Sequence, residues 1–221
     1  MPTPFDPAFD DLPDVIPLFP LAGALLLPDG RLPLNIFEPR YLNMTAAALA
    51  APHRLIGMIQ PQEGATDDHP EIFATGCAGR LISFGETEDG RYLITLRGLA
   101  RFRVADEFPL LDGYRRVRAD YAQFRRDMVE PTEPLSIDRD RLLRALRAYL
   151  TRQGVEANWD AIEGTDDTRL VTSLAMMCPF RPSEKQALLE APTLDDRAEV
   201  MVMLLEMALL ERSDDDGSIK Q

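Results

Sequence analysis

The stretch from Ile16 to Leu42 constrains the fold most strongly, because prolines divide its apolar residues into short pieces. Proline has no backbone N–H and a fixed φ, so a sheet accepts it only on edge strands, at strand ends and in turns. The pattern therefore predicts three short strands, near Val15–Phe19, Ala24–Leu27 and Arg31–Leu34. A helix is predicted to begin at Pro39 and to end near Ala51, since proline suits the first helical turn.

Apolar runs separated by turn residues continue as far as Phe124 and predict further strands. Residues 54–59 are typical of a buried strand, and residues 60–70 of a polar loop. Asp89-Gly90 predicts a hairpin turn between strands at 71–84 and 91–104, with a bend at Gly98. Small residues at positions 76, 78 and 79 indicate a bulge or a close approach of two backbones. With a last strand at 114–124, this part of the chain is expected to form a small antiparallel barrel or a strongly curved sheet.

Helical periodicity replaces the strand pattern after Met128. Two helices are predicted over 138–153 and 156–162, and a third after Asp166 or Asp167. The capping box Ser183-x-x-Gln186 predicts the start of a fourth, and Thr193 suits the cap of the last helix. The domain prediction is a disordered arm at 1–14, a β-rich subdomain at 15–126, a linker at 127–134, a helical subdomain at 135–212 and a frayed tail at 213–221.

The charge of the chain is acidic overall but unevenly distributed. The formal net charge is −13, whereas residues 91–126 contain nine arginines and four carboxylates, a local balance of +5. The overall acidity argues against a nucleic-acid binder, because such proteins obtain most of their affinity from cations on phosphates. Two interpretations of the basic block stay open: a face for nucleic acid or another anion, or arginines that are solvated or paired with carboxylates.

The sequence contains no motif that predicts catalysis or metal binding. Neither lysine lies in a Walker A sequence, and there is no G-x-S-x-G. His53 and His69 are too few for a metal cluster, so no metal or other cofactor is expected. Cys77 and Cys178 lack the spacing of a zinc site or a disulfide framework, which is typical of a reducing compartment. Without a signal-peptide pattern or a bilayer-spanning apolar run, the chain is predicted to be cytoplasmic, with no membrane partner.

Three phrases of the sequence resemble the amino-terminal, substrate-binding domain of Lon proteases. The first combines Pro17–Leu21, which reads PLFPL, with Pro33–Tyr41, which reads PLNIFEPRY. The others are Gly98–Val104, which reads GLARFRV, and Glu184–Glu190, which reads EKQALLE. The resemblance implies an α+β fold, in which a PUA-like antiparallel β pseudo-barrel with one inserted helix is followed by a C-terminal helical subdomain.

The same resemblance implies a stand-alone, non-catalytic module that lacks the ATPase and peptidase parts of Lon and binds exposed polypeptide segments or a protein partner. The candidate peptide-binding residues are Phe37, Glu38, Arg40, Tyr41, Arg101 and Arg103. Glu38 and Arg40 also have a structural alternative, in which Glu38 accepts backbone N–H groups and Arg40 ties the helix to the sheet. The alternative functions are nucleic-acid or anionic-ligand binding through residues 91–126, and an unrecognised small-molecule site.

Overall fold

The computed structural model describes residues 4–62, 70–129 and 136–217. The strands in these ranges are β1 (Val15–Pro20), β2 (Arg31–Ile36), β3 (Leu55–Ile59), β4 (Thr75–Glu86), β5 (Tyr92–Leu111) and β6 (Tyr114–Asp120). The α-helices are α1 (Pro39–Ala50), α2 (Arg139–Gln153), α3 (Trp159–Glu163), α4 (Asp167–Met177), α5 (Pro182–Glu190) and α6 (Leu194–Gly217), and 3-10 helices lie at Phe9–Asp11 and Ala122–Met128. Several predicted features lie outside the described residues: positions 1–3 of the arm, positions 63–69 of the loop with His69, positions 130–134 of the linker and positions 218–221 of the tail.

The strands form one mixed sheet in the order β2-β5-β4-β3-β1-β6, and β5 pairs with β6 as well. β5 can do this because it is 20 residues long: its first part pairs with β2 and β4, and its second part pairs with β6. β1 and β3 are parallel, since the chain between them passes through β2 and α1 and is long enough for a crossover. The α+β prediction is confirmed, but the sheet is mixed and is not a regular antiparallel barrel.

The main core of the sheet surrounds Phe102, which is fully buried. Two glycines make room for its ring, because a Cβ at Gly57 or at Gly76 would lie 2.9 Å or 2.6 Å from ring carbon Cζ. The register of β4 on β5 also shifts between Ala78 and Gly79. This shift confirms the predicted bulge. A Cβ at Gly76 would also lie 2.6 Å from the Met58 carbonyl oxygen on β3, so the predicted close approach of two backbones is present as well.

The predicted strand at Ala24–Leu27 is not formed. Its three leucines are at most 2% exposed, yet the backbone here is irregular. The buried side chain of Gln60 supplies hydrogen bonds in place of a neighbouring strand, since it donates to the Ala24 carbonyl and accepts from the Gly23 N–H at 2.9 Å. An apolar run thus reports burial, whereas the backbone partners decide whether a strand forms.

The prediction of a disordered arm does not fit residues 4–14. Leu12 is 8% exposed and belongs to the core cluster, and Phe9 packs against that cluster. The carbonyl of Asp14 accepts a hydrogen bond from the Ala119 N–H at 2.8 Å, next to the start of β1. The proline- and aspartate-rich composition concealed these anchors, because only a few of the residues carry the contacts. We call residues 4–14 the N-terminal segment.

The described structure divides into two compact units. Unit 1 contains Met1–Thr132 and Pro179–Leu189, and unit 2 contains Glu133–Cys178 and Glu190–Gln221. Nearly all of α5 therefore belongs to the β-rich unit, although the sequence predicts a single helical subdomain at 135–212. The boundary differs because helical periodicity identifies a helix but not the surface on which it packs.

Side chains of α5 explain its place in unit 1. Lys185 is buried, and its Nζ donates to the Gly23 carbonyl at 2.6 Å. Gln186 Nε2 donates to the Thr75 carbonyl at 3.1 Å. The predicted capping box is wrong in its residues, because α5 begins at Pro182 and Glu184 Oε2 accepts the Arg181 N–H at 2.7 Å.

Unit 2 follows its local sequence signals closely. The carboxylate of Asp138 accepts the Arg141 N–H at the start of α2, and Asp166 accepts the Arg169 N–H at the start of α4. Gly154 ends α2 with a φ of 67°, in the left-handed region that favours glycine. Thr193 caps α6 as predicted, since its Oγ1 accepts the Asp196 N–H at 3.1 Å.

Candidate functional site

Phe37 lies directly after β2 and presents an apolar ring to solvent, with 60% of the residue exposed. The Arg91 guanidinium lies 5.7 Å from the centre of this ring. Leu93 on β5 is 52% exposed and is paired with Asn35, two residues before Phe37. We call Phe37, Arg91 and Leu93 the Phe37 patch. Exposed apolar side chains with a polar rim are typical of a surface that binds other proteins.

The neighbouring strand leaves space beside this patch. Gly85 on β4 is paired with Leu93 on β5. A Cβ built at Gly85 would meet no atom within 4 Å, so nothing in the described structure covers this position. The face of the sheet around Leu93 is therefore open to an incoming side chain.

Glu38, Arg40 and Tyr41 form a local cluster at the start of α1. Arg40 Nε donates to Glu38 Oε2 at 2.9 Å, and the guanidinium lies 4.8 Å from the centre of the Tyr41 ring. Tyr41 packs against Phe19 of β1 with 4.3 Å between ring centres, which ties the helix to the sheet. Glu38 is the N-cap residue but its side chain makes no capping hydrogen bond, so that part of the structural alternative is wrong. These side chains support the position of Phe37.

Arg101 has a structural environment that differs from that of the Phe37 patch. It is 5% exposed, and its Nε and Nη2 donate to the two carboxylate oxygens of Asp127 at 2.9 and 2.7 Å. Its Nη1 donates to the Leu189 carbonyl at 3.0 Å, which links β5 to α5. A buried bidentate pair of this kind holds elements together and offers no surface to a peptide. Arg103, two residues further along β5, is exposed.

Most arginines in the basic block are paired with carboxylates. Among the residues that the structure describes, six of the nine form ion pairs: Arg91–Asp89, Arg97–Asp6, Arg101–Asp127, Arg115–Glu107, Arg118–Asp106 and Arg125–Asp10. The local excess of positive charge in the sequence is therefore partly neutralised in space by carboxylates from outside the block. This agrees with the interpretation that the arginines are paired.

Sequence reasoning missed one charged cluster, which joins the N-terminal segment to the sheet. Arg97 on β5 is the cross-strand partner of Arg80 on β4 and of Arg31 on β2. The carboxylate of Asp6 forms ion pairs with Arg97 and, at 3.7 Å, with Arg80. The sequence gives no signal for this cluster, because strand register brings the arginines together and the carboxylate arrives from a distant segment.

Among residues 4–62, 70–129 and 136–217, no group of three or more histidines, cysteines and carboxylates lies close enough to hold a metal ion. None of the helices in that part of the chain has the length and apolar character needed to cross a membrane.

The sequence is similar to full-length proteases over most of its own length. A family pattern described as the ATP-dependent protease La (LON) substrate-binding domain matches residues 15–207. Lon protease 2 of Myxococcus xanthus is 27% identical over 202 residues, which are 89% of this chain and 24% of that protein. Lon protease 2 of Sorangium cellulosum (strain So ce56) is 29% identical over 139 residues, which are 62% of this chain and 16% of that protein. The chain thus spans at most about a quarter of the length of these two curated relatives.

Solved structures support the same fold. The crystal structure of a Lon N-terminal domain protein from Xanthomonas campestris matches with a TM-score of 0.57 at 23% identity, over 86% of this chain and 97% of that one. The N-terminal domain of a Lon protease from the Mycobacterium avium complex matches with a TM-score of 0.61 at 16% identity, over 87% of this chain and 98% of that one. Since the family pattern covers nearly all of the described sheet and helices, the chain belongs to the family of the Lon protease substrate-binding domain.

Proposed function

We propose that this chain recognises polypeptides and binds exposed apolar segments of other proteins reversibly, without ATP and without catalysis. Membership of a substrate-binding family supports a recognition role. The observation that carries the proposal is the Phe37 patch, where two large apolar residues, Phe37 after β2 and Leu93 on the adjacent β5, are at least half exposed. Burial of such side chains by a client removes apolar area from water, which is the main favourable term in this kind of association.

Side-chain burial accounts for recognition better than addition of a strand to the sheet. β2 is an edge strand, so a peptide could in principle extend the sheet there. Pro33 lies in the middle of β2 and has no N–H to donate. Prolines on edge strands interrupt the ladder that an added strand needs. The client is therefore expected to lie on the face of the sheet rather than along this edge.

A nucleic-acid role has less support. The overall charge is −13, and six of the nine arginines in the basic block already have a carboxylate partner within the described part of the chain. Phosphate binding would have to compete with those partners. We propose instead that the ligands are polypeptide clients or a protein partner, and that the protein meets them in the cytoplasm.

The test compares Phe37→Ala with a matched control, Phe84→Ala. Phe84 is 39% exposed, and its cross-strand partner Ile94 is buried, so it lies on the opposite face of the sheet from Leu93. Fluorescence anisotropy would measure binding of labelled apolar, acidic and basic peptides at low and high salt. Apolar peptides should bind the unsubstituted chain best, with little effect of salt, and Phe37→Ala should weaken this binding about tenfold, as for an interface residue whose truncation costs above 1 kcal/mol.

Two results would contradict the proposal. Equal loss of binding in Phe84→Ala and Phe37→Ala would remove the Phe37 patch as the site. Absence of binding to every peptide would leave a folded protein partner as the ligand.

A further inference from the structure

The N-terminal segment is seated on the same face of the sheet as the Phe37 patch. Side chains alternate along a strand, so residues four apart lie on one face. Leu93 and Arg97 are four apart on β5, and the register with β2 is unbroken between them. Four residues of strand span roughly 13 Å. An apolar patch and a pair of arginines therefore share one face, and Asp6 of the N-terminal segment is bound at the arginines.

The arginines require an anion at this position. Arg80 and Arg97 are directly opposite each other on adjacent strands, and like charges in that arrangement are destabilising. Their side chains are only 14% and 8% exposed, and the Asp6 side chain is 5% exposed. A buried charge is costly unless an opposite charge accompanies it, so the Asp6 carboxylate compensates both guanidinium groups.

The N-terminal segment is attached in the manner of a bound peptide. It contributes no strand to the sheet. Apart from the backbone hydrogen bond at Asp14, its anchors are side chains: Asp6 at the arginines, Leu12 in the core cluster and Phe9 under Arg125. The Arg125 guanidinium lies 4.2 Å from the centre of the Phe9 ring and also pairs with Asp10. The family pattern begins at residue 15, after this segment.

From these observations we infer that the N-terminal segment is a displaceable internal ligand for an acidic-residue site formed by Arg80 and Arg97. The natural occupant that competes with it is a client segment with an aspartate or glutamate about four extended residues from an apolar side chain. The carboxylate binds Arg80 and Arg97 while the apolar side chain covers the Phe37 patch. This inference rests on the proposed function and adds to it the chemistry of the client.

The N-terminal segment and a client are expected to compete for the same two arginines. The N-terminal segment is covalently tethered, so its effective concentration at the site is of millimolar order. A client therefore binds only in the fraction of molecules in which the segment has left the arginines, and its apparent affinity is reduced by that fraction. Weakening the internal ligand should strengthen binding of the external one.

The experiment uses the full chain, Asp6→Asn and a matched control outside the N-terminal segment, Asp106→Asn, which removes a carboxylate from the exposed pair with Arg118. The probes are labelled twelve-residue peptides with one phenylalanine and one aspartate four positions apart, in both orders. Control peptides have the two residues two positions apart, or asparagine in place of aspartate. Anisotropy should show at least about tenfold tighter binding of the four-apart acidic peptides to Asp6→Asn than to the unsubstituted chain. Asp106→Asn should behave like the unsubstituted chain.

A second measurement needs no substitution, so it tests displacement of the N-terminal segment even if Asp6→Asn does not fold. Amide hydrogen exchange in residues 4–14 of the unsubstituted chain should become faster when the four-apart acidic peptide is added at saturation. Unchanged exchange would overturn the inference.

Other outcomes are equally decisive. If aspartate and asparagine peptides bind alike and binding is still lost in Phe37→Ala, the proposed function stands and the acidic-residue site is refuted. If no peptide binds any variant, the acidic-residue site is refuted, and the ligand left to the proposed function is a folded protein partner. If the unsubstituted chain forms dimers as its concentration rises and Asp6→Asn does not, the site belongs to the N-terminal segment of a second copy, and the assignment to a client is overturned.

Discussion

Arg101 and Asp127 illustrate how a single buried ion pair can hold several parts of unit 1. The carboxylate accepts from the Arg101 backbone N–H at 2.9 Å as well as from the guanidinium, and the guanidinium also reaches the Leu189 carbonyl. One residue thus connects β5, the segment after β6 and α5. Such a pair is expensive to break, because removal of one charge leaves the other buried.

We expect Asp127→Asn to lower the free energy of unfolding of unit 1 by about 3–5 kcal/mol, the cost of an uncompensated buried charge. Asp106→Asn is the control, since the Asp106–Arg118 pair is exposed and such pairs contribute little. Chemical denaturation followed by circular dichroism would measure both. Similar small effects of the two substitutions would show that Arg101 is not held as the contacts indicate.

Tyr121 makes unit 1 less stable as the pH becomes alkaline. Burial is the main reason that the pKa of its hydroxyl is raised well above the ordinary value of 10.0. Between the two pKa values the unfolded chain loses this proton while the folded chain keeps it, so stability falls as pH rises above 10. The slope for one proton is about 1.4 kcal/mol per pH unit.

The measurement is urea denaturation between pH 8 and about pH 12, compared with Tyr121→Phe. The hydroxyl makes only a long contact of 3.4 Å with the Pro13 carbonyl, so its removal should change stability little at pH 8. The alkaline slope should become smaller in Tyr121→Phe. Some slope should remain, because burial also raises the pKa of Tyr114. An unchanged slope would show that Tyr121 does not cause it.

At the scale of elements, β5 organises unit 1 by pairing with three other strands. At Gly98, the backbone of the segment before β2 lies close to that of β5. The Gly98 N–H donates to the Gly30 carbonyl at 2.9 Å, and the Gly98 carbonyl accepts the Asp29 N–H at 3.0 Å. A Cβ at this position would overlap the Leu27 carbonyl group, with its carbon at 2.7 Å.

Gly98→Ala is therefore expected to destabilise unit 1 by about 1–3 kcal/mol, because one backbone must move away from the other. Gly85→Ala is the matched control in the same sheet, since its Cβ would meet nothing within 4 Å. That substitution should leave the melting temperature within a few degrees of the original value. Equal shifts in the two variants would contradict the close approach at Gly98.

Local sequence signals were sufficient to predict many elements. They were insufficient where residues distant in the sequence determine the backbone conformation or the packing of an element. Pro39 at the start of α1 and Thr193 before α6 could be read from the sequence, because first-turn prolines and capping side chains act within a few residues. Ala24–Leu27 could not, because the side chain of Gln60 replaces a strand partner there. For α5, the hydrogen bonds of Lys185 and Gln186 determine which unit it joins.

The same distinction applies to the candidate site. The sequence placed Phe37 at a junction of strand and helix, but only the fold reveals that it is 60% exposed. Arg101 and Arg103 lie two positions apart on one strand, yet one is buried and the other exposed. The cluster of Asp6 with Arg80 and Arg97 depends on strand register, which apolar alternation alone does not specify.

At the scale of the whole molecule, the charge pattern predicts how the protein behaves towards nucleic acid. With a net charge of −13 and most of its basic block paired, the chain should show negligible, salt-independent retention of labelled RNA or DNA in filter binding. Arg103→Ala should leave this background unchanged. Retention that falls steeply with added salt, and falls further in Arg103→Ala, would instead indicate an anion-binding face.

The membership of α5 in unit 1 has a consequence for biosynthesis. The chain leaves unit 1 at Thr132 and supplies its last part only at Leu189, 57 residues later. At a translation rate of roughly 5–20 residues per second, the earlier part waits about 3–11 seconds for that helix. During this interval the guanidinium of Arg101 and the carbonyls of Gly23 and Thr75 lack the α5 atoms that bind them in the finished protein. Completion of unit 1 on the ribosome is thus coupled to synthesis of most of the chain.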